Sequence, residues 1–168
     1  RRIVDANGLA LSPGFIDTHS HHDRGLNKNR EALAAVSQGI TTIIVGQDGG
    51  SHTPLKDYYA HLKDSAVAVN IGSYSGHNSI RDMVLGKDFK RHATQAEVNS
   101  MIALLKSDME AGAFGLSTGL EYDPGIYSHK DEILSLSKVL PEYEGRYISH
   151  LRSEDRYLWD ALNEIITI

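Results

Sequence analysis

The feature that most restricts the fold of this chain is an alternation of short β-rich runs with stretches of helical spacing. Thr41-Thr42-Ile43-Ile44-Val45 is a continuous β-branched run ending at Gly46, the pattern of a parallel strand covered on both faces. Residues 14–19, 66–71, 115–117 and 147–150 read as four further strands. Between them, residues 30–39, 54–63 and 131–143 have helical character, with Gly39 as a stop. A longer helix begins at Thr94, where Glu97 completes a capping box and Val98, Ile102, Leu105 and Met109 recur at helical spacing. Ser153 or Asp155 opens a last helix. Ile3-Val4 and residues 9–11, flanking Asp5-Ala6-Asn7-Gly8, read as a small hairpin or an entering strand.

Five strands alternating with helices imply a parallel α/β fold. Periodicity leaves a doubly wound sheet and a (β/α)8 barrel equally open. A whole barrel takes roughly 250 residues, so five strand-helix units are a little over half of one. No Gly-x-Gly-x-x-Gly loop follows any strand, which weighs against a dinucleotide-binding protein. The 168 residues carry 17 basic and 22 acidic side chains, a formal net charge of −5. No basic stripe stands out, so nucleic acid is not an expected partner. No apolar run reaches the roughly 18 to 20 residues of a membrane span. With no cysteine in the chain disulfides are excluded, and cytoplasm is the default compartment. The chain opens on Arg1-Arg2 and stops at Ile168 within an apolar helical pattern; we expect it to be a fragment of a longer protein.

The strand ends carry the chemistry. In Pro13-Gly14-Phe15-Ile16-Asp17-Thr18-His19-Ser20-His21, His19 and His21 stand at i and i+2 and project from one side of a strand. They sit at its C-terminal end, where barrel enzymes build their sites. Two imidazoles so placed can ligate one metal ion; a polar loop gives the same short pattern by chance.

The surrounding residues decide more. The stretch from Ile3 to Asp23 resembles the lead-in and first barrel strand of amidohydrolases. Gly39-Ile40-Thr41-Thr42-Ile43-Ile44-Val45-Gly46-Gln47-Asp48-Gly49 is similar to the second strand of the N-acyl-D-amino-acid deacylases. Gly76-His77-Asn78-Ser79-Ile80-Arg81 is similar to the loop after their third strand. Residues 112–122 resemble their fourth strand and 147–154 their fifth, all in the family's order. The resemblance implies a partial (β/α)8 TIM barrel over residues 13–168, preceded at residues 1–12 by a remnant of a small β domain. It implies a divalent metal, zinc in the first place with manganese, cobalt or iron as alternatives, bound as one or two ions. The implied ligands are His19, His21, Asp48 and His150. Asp48 stands where those deacylases carry a cysteine, and a carboxylate favours harder cations than a thiolate. Glu121, Tyr122, His77 and Arg81 are the implied substrate-binding residues, with a bridging metal ligand as the alternative role for Glu121.

The implied reaction is hydrolysis of a linear amide by a metal-activated water, with N-acyl-D-amino acids or D-aminoacyl peptides as small-molecule substrates. The general-base Asp is expected beyond Ile168, so the fragment alone is expected to be inactive. A dihydroorotase-, hydantoinase- or isoaspartyl-dipeptidase-like enzyme is the alternative, although no lysine occurs between Ala111 and Ile126 to serve as their carboxylated bridge. A non-catalytic paralogue is the other alternative. His22 reads as a loop residue or a group just behind the metal ligands, Asp23 as a group that orients a ligand histidine or caps a turn, and His52, His61, His92 and His129 as surface residues.

Overall fold

The structure, a computed structural model, describes residues 3–168. Its elements follow the expected alternation: β1 (Phe15–Asp17), α1 (Leu33–Val36), β2 (Ile40–Val45), α2 (Leu55–Asp64), β3 (Asn70–Ser73), β4 (Ser75–Gly76), α3 (His77–Leu85), α4 (Gln95–Glu110), β5 (Gly115–Gly119), α5 (Lys130–Ser137), β6 (Arg146–His150) and α6 (Leu158–Thr167). The strands form two three-stranded sheets, ordered β1-β2-β3 and β4-β5-β6. Every pairing is parallel. Only Tyr74 separates β3 from β4; there the third run of the sequence changes partner, from β2 to β5. All strand C-termini therefore point the same way, in chain order.

Apolar side chains explain which faces meet. Leu55, Ile80, Met101, Leu105, Leu116 and Leu136 are fully buried in one cluster, which packs α2 to α5 against β5. Ile43 and Val45 of β2 anchor a second cluster with Leu26, Ala35 and Val69. Every residue of β5 is buried, as expected of a parallel strand covered on both faces. In α4 the capping box forms as the sequence implies, with Thr94 accepting from the Glu97 amide and Glu97 reaching back to the Thr94 N–H at 2.7 Å. The first turn of α2 takes its cap from outside the helix, because the Leu55 N–H donates to Asp108 Oδ1 of α4 at 2.8 Å.

Several readings need correction. Residues 3–13 form no hairpin: only a turn at Asn7-Gly8 exists, and Ile3, Val4, Leu9 and Leu11 are exposed, whereas an isolated hairpin needs a covering layer to be stable. The helix expected over 30–39 shrinks to α1, because Ala32 adopts a left-handed φ of 46°. The third strand starts later, at Asn70; Ala68 instead donates to the Arg30 carbonyl. The helix expected over 131–143 ends at Ser137, and Leu140–Tyr143 is a 3-10 turn containing Pro141, which lacks an N–H for the α-helical ladder. Ser153 bonds Asp155 and accepts from the Tyr157 amide, closing a turn of its own, so the last helix begins at Leu158.

His77 and Arg81, expected on a loop, lie on α3 and are fully buried. Both are spent on Glu132 of α5. His77 Nε2 is 2.8 Å from Glu132 Oε1, and Arg81 Nη1 donates to Oε1 at 2.6 Å and to Oε2 at 2.5 Å. Arg81 Nη2 donates to the carbonyls of Phe89 and Arg91. Arg81 thus meets a carboxylate of the chain's own, and both residues are fully buried.

Burial alone would raise the Glu132 carboxyl, but the hydrogen bonds and charge of His77 and Arg81 hold it below the ordinary carboxylate range. A carboxyl depressed on folding stabilises fully above its unfolded value of about 4.3 and loses that contribution as the pH falls through the folded value. Urea denaturation between pH 7 and 3 is therefore expected to show stability falling below about pH 4.3. Glu132→Gln is expected to flatten that fall, and to cost about 3–5 kcal/mol at pH 7 by leaving Arg81 buried without a counter-charge. Thr94→Ala is expected to cost about 1 kcal/mol in the same assay, through loss of the cap.

Candidate metal centre

The first strand delivers its histidines as the period of two requires. Pairing with β2 continues past β1, since the Ser20 N–H donates to the Ile44 carbonyl at 3.0 Å. Ser20 is buried, while His19 and His21 on either side of it face outward. Their rings lie 5.6 Å apart, edge to face. Asp48 comes to them from the turn after β2. Its Oδ2 is 3.2 Å from His19 Nε2 and 3.0 Å from His21 Nε2. The three donor atoms lie within 4.8 Å of one another, and among the described residues no other cluster of three or more His, Asp or Glu side chains is gathered so closely. Two imidazole nitrogens and a carboxylate oxygen converging on one point suit a first-row divalent cation.

The turn that presents Asp48 is unusual. Asp48 has φ 53°, a left-handed conformation that residues with a side chain seldom adopt, although Asp tolerates it better than most. Gly49 follows at φ 78°, and a Cβ there would lie 2.3 Å from Asn78 Oδ1. On β5, a Cβ at Gly119 would lie 2.2 Å from the Asp48 carbonyl oxygen, so glycine lets that strand approach the turn. Gln47, almost fully buried, donates from Nε2 to the carbonyls of Thr18 and Ile44 at 3.1 and 3.0 Å. It ties the Asp48 turn to the strand that carries the histidines. Gln47 Oε1 is buried without a partner.

His150 ends β6, at the same end of the parallel strands. It stands outside the close trio: Nε2 is 2.9 Å from Glu121 Oε2 and 3.7 Å from Glu154 Oε1. Tyr122 lies between the two groups. Its ring is 5.1 Å from that of His150, and its hydroxyl donates to the Asp48 carbonyl at 3.2 Å. Burial, then the negative charge of Asp48, Glu121 and Glu154, pushes the Tyr122 hydroxyl up to about 12, so it stays protonated and can donate. A cleft of about 320 Å³ opens beside the trio, lined by His21, Arg24, Gln47, Asp48, Asn78 and Tyr122 among others.

Asp23, a candidate to orient a ligand histidine, pairs instead with His52 at 3.2 Å. His52, His61, His92 and His129 are exposed, as read from the sequence. Sequence reasoning missed Gln47 and Ser117, whose Oγ donates to the Gly46 carbonyl and accepts from the Gly49 N–H. A lone serine in a strand carries no local sign of such a role. No helix among the described residues is long and apolar enough to cross a membrane.

Known proteins match nearly the whole chain. Residues 2–153 match the model of the amidohydrolase family. An N-acyl-D-aspartate deacylase of Alcaligenes xylosoxydans xylosoxydans is 37% identical over 99% of the chain and 38% of its own length. A D-aminoacylase of the same organism is 33% identical over 98% of the chain and 39% of its own length. The chain thus spans less than two fifths of these relatives. Among solved structures, an N-acyl-D-glutamate deacylase from Bordetella bronchiseptica, complexed with zinc and a phosphonate mimic of the tetrahedral intermediate, superimposes with a TM-score of 0.87. It is 30% identical and covers 92% of this chain and 37% of its own. A D-aminoacylase structure gives a TM-score of 0.83 at 32% identity, over 90% of this chain and 37% of that one. The chain belongs to the amidohydrolase family.

Proposed function

We propose that the protein containing this chain is a metal-dependent hydrolase that removes the acyl group from N-acyl-D-amino acids or D-aminoacyl peptides. The observation that carries this reading is the meeting of His19, His21 and Asp48 around one point at the strand C-termini. We assign residues 13–168 to part of a (β/α)8 barrel and residues 1–12 to its lead-in. In support, all the strands are parallel and in chain order, and solved deacylases superimpose on the chain.

His19, His21 and Asp48 would hold the cation, zinc or a harder divalent ion. When bound, that ion supplies Lewis acidity and lowers the pKa of water at the site to roughly 7. His150 is assigned to the same site. With Glu121 accepting its Nε2 proton, Nδ1 is left as a donor nitrogen, the carboxylate–histidine arrangement that orients metal ligands. Tyr122 holds the Asp48 main chain and faces the cleft, where it would contact substrate, as would Glu121 from beside His150. His77 and Arg81 support α3 and α5 from the interior. The base that accepts the proton of water is assigned to an Asp outside these residues, as the resemblance implies.

Hydrolysis of N-acetyl-D-amino acids by the intact protein tests this reading. Turnover is expected to vanish on chelation and to return with added zinc, manganese or cobalt. His19→Ala and Asp48→Ala are each expected to lower kcat/KM and metal occupancy by more than about 100-fold, beyond the loss typical of groups one step removed from a metal. The 168-residue chain by itself is expected to be inactive. Turnover that survives chelation, or full activity in His19→Ala, would overturn the proposal.

A further inference from the structure

We infer that Ser117 is a positioning residue that locks Asp48 into its metal-facing conformation; the inference rests on the metal reading above. Asp48 sits at φ 53°, a strained region for a residue with a side chain, which persists only where the surroundings impose it. The turn that carries it runs from Gly46 to Gly49. Ser117 lies on β5, in the other sheet, and is fully buried. Its Oγ donates to the Gly46 carbonyl at 2.5 Å and accepts from the Gly49 N–H at 3.1 Å. One hydroxyl therefore joins the two ends of the turn and fixes its span, with Gln47 and Asp48 as the intervening residues. The Asp48 carbonyl is held separately by Tyr122.

Removing the hydroxyl leaves the Gly46 carbonyl and the Gly49 amide in the interior without this partner. Buried groups left so are costly, and rotation of the peptides between them is the direct way to relieve the cost. Such a rotation takes Asp48 out of its left-handed conformation and carries Oδ2 away from His19 and His21. Metal affinity is then lost although every donor side chain remains.

Thr118 separates this role from ordinary packing. It is the next residue on β5 and equally buried, but it faces the opposite side of the strand. Its hydroxyl bonds Tyr147 and Ser149, and the Asp48 turn is not among its partners.

The test is Co2+ titration of the intact protein, read by the visible d–d spectrum and by competition with a chromophoric chelator. Ser117→Ala is expected to weaken Co2+ binding about 10- to 100-fold, as loss of a group that orients a ligand does, and to alter the spectrum. Thr118→Val is expected to lower stability while leaving Co2+ affinity and spectrum unchanged. Ser117→Cys keeps a weak donor of similar shape and is expected to lose affinity by a smaller factor; it decides the matter if the alanine variant does not fold. Unchanged affinity and spectrum in the folded Ser117 variants, or an equal loss in Thr118→Val, would overturn this inference and leave the metal reading standing. If the unsubstituted protein takes up no Co2+, the metal reading falls and this inference with it.

Discussion

The carboxylate of Asp48 draws two imidazoles onto a single oxygen, 3.0 and 3.2 Å away, and it does so across 27 and 29 residues of sequence. That convergence exists only because β1 and β2 pair in parallel, with the register shifting once, between Phe15 and Ile16. Phe15 opposes Ile40 and Asp17 opposes Ile43, and the Ser20 amide extends the ladder to the residues that bear the histidines. Parallel pairing puts both C-terminal ends on one side, so the His-x-His segment and the turn after Val45 emerge together. A slip of one residue would turn His19 and His21 inward and Ser20 outward.

Around this contact the chain is held on several sides. Gln47 ties the turn to the first strand, Ser117 spans it from β5, and Tyr122 holds its apex carbonyl. Ser79 of α3 bonds Ser51 and Gly49 just beyond it. The hydrophobic cluster under β5 keeps these donors in place. The His77–Arg81–Glu132 group then fastens α3 to α5 from within. Rigidity behind the site and exposure in front of it are both in keeping with a metal centre whose ligands must hold their positions before the ion arrives.

Legibility in the sequence followed the range of each interaction. The β-branched run of β2, the capping box at Thr94 and the shared face of His19 and His21 were readable because each is decided by neighbours within a few residues. Asp48 has no such local mark. It stood out through resemblance, and the structure puts it in a glycine-flanked left-handed turn beside the first strand. The true partner of Arg81 was hidden, because Glu132 lies 51 residues away and a Gly-rich lead-in read as loop where α3 begins. Ser117 was hidden for the same reason, at 68 residues from Gly49. Breaks such as that before Pro141 and the curtailed α1 came from single backbone constraints that periodicity averages over.

Anomalous X-ray diffraction from crystals of the metal-loaded intact protein addresses the convergence most directly. An ion peak is expected about 2.0–2.2 Å from both a histidine nitrogen and a carboxylate oxygen of the His19, His21 and Asp48 trio. A fully loaded protein whose ion lies elsewhere, with those three side chains still bonded only to one another, would contradict it.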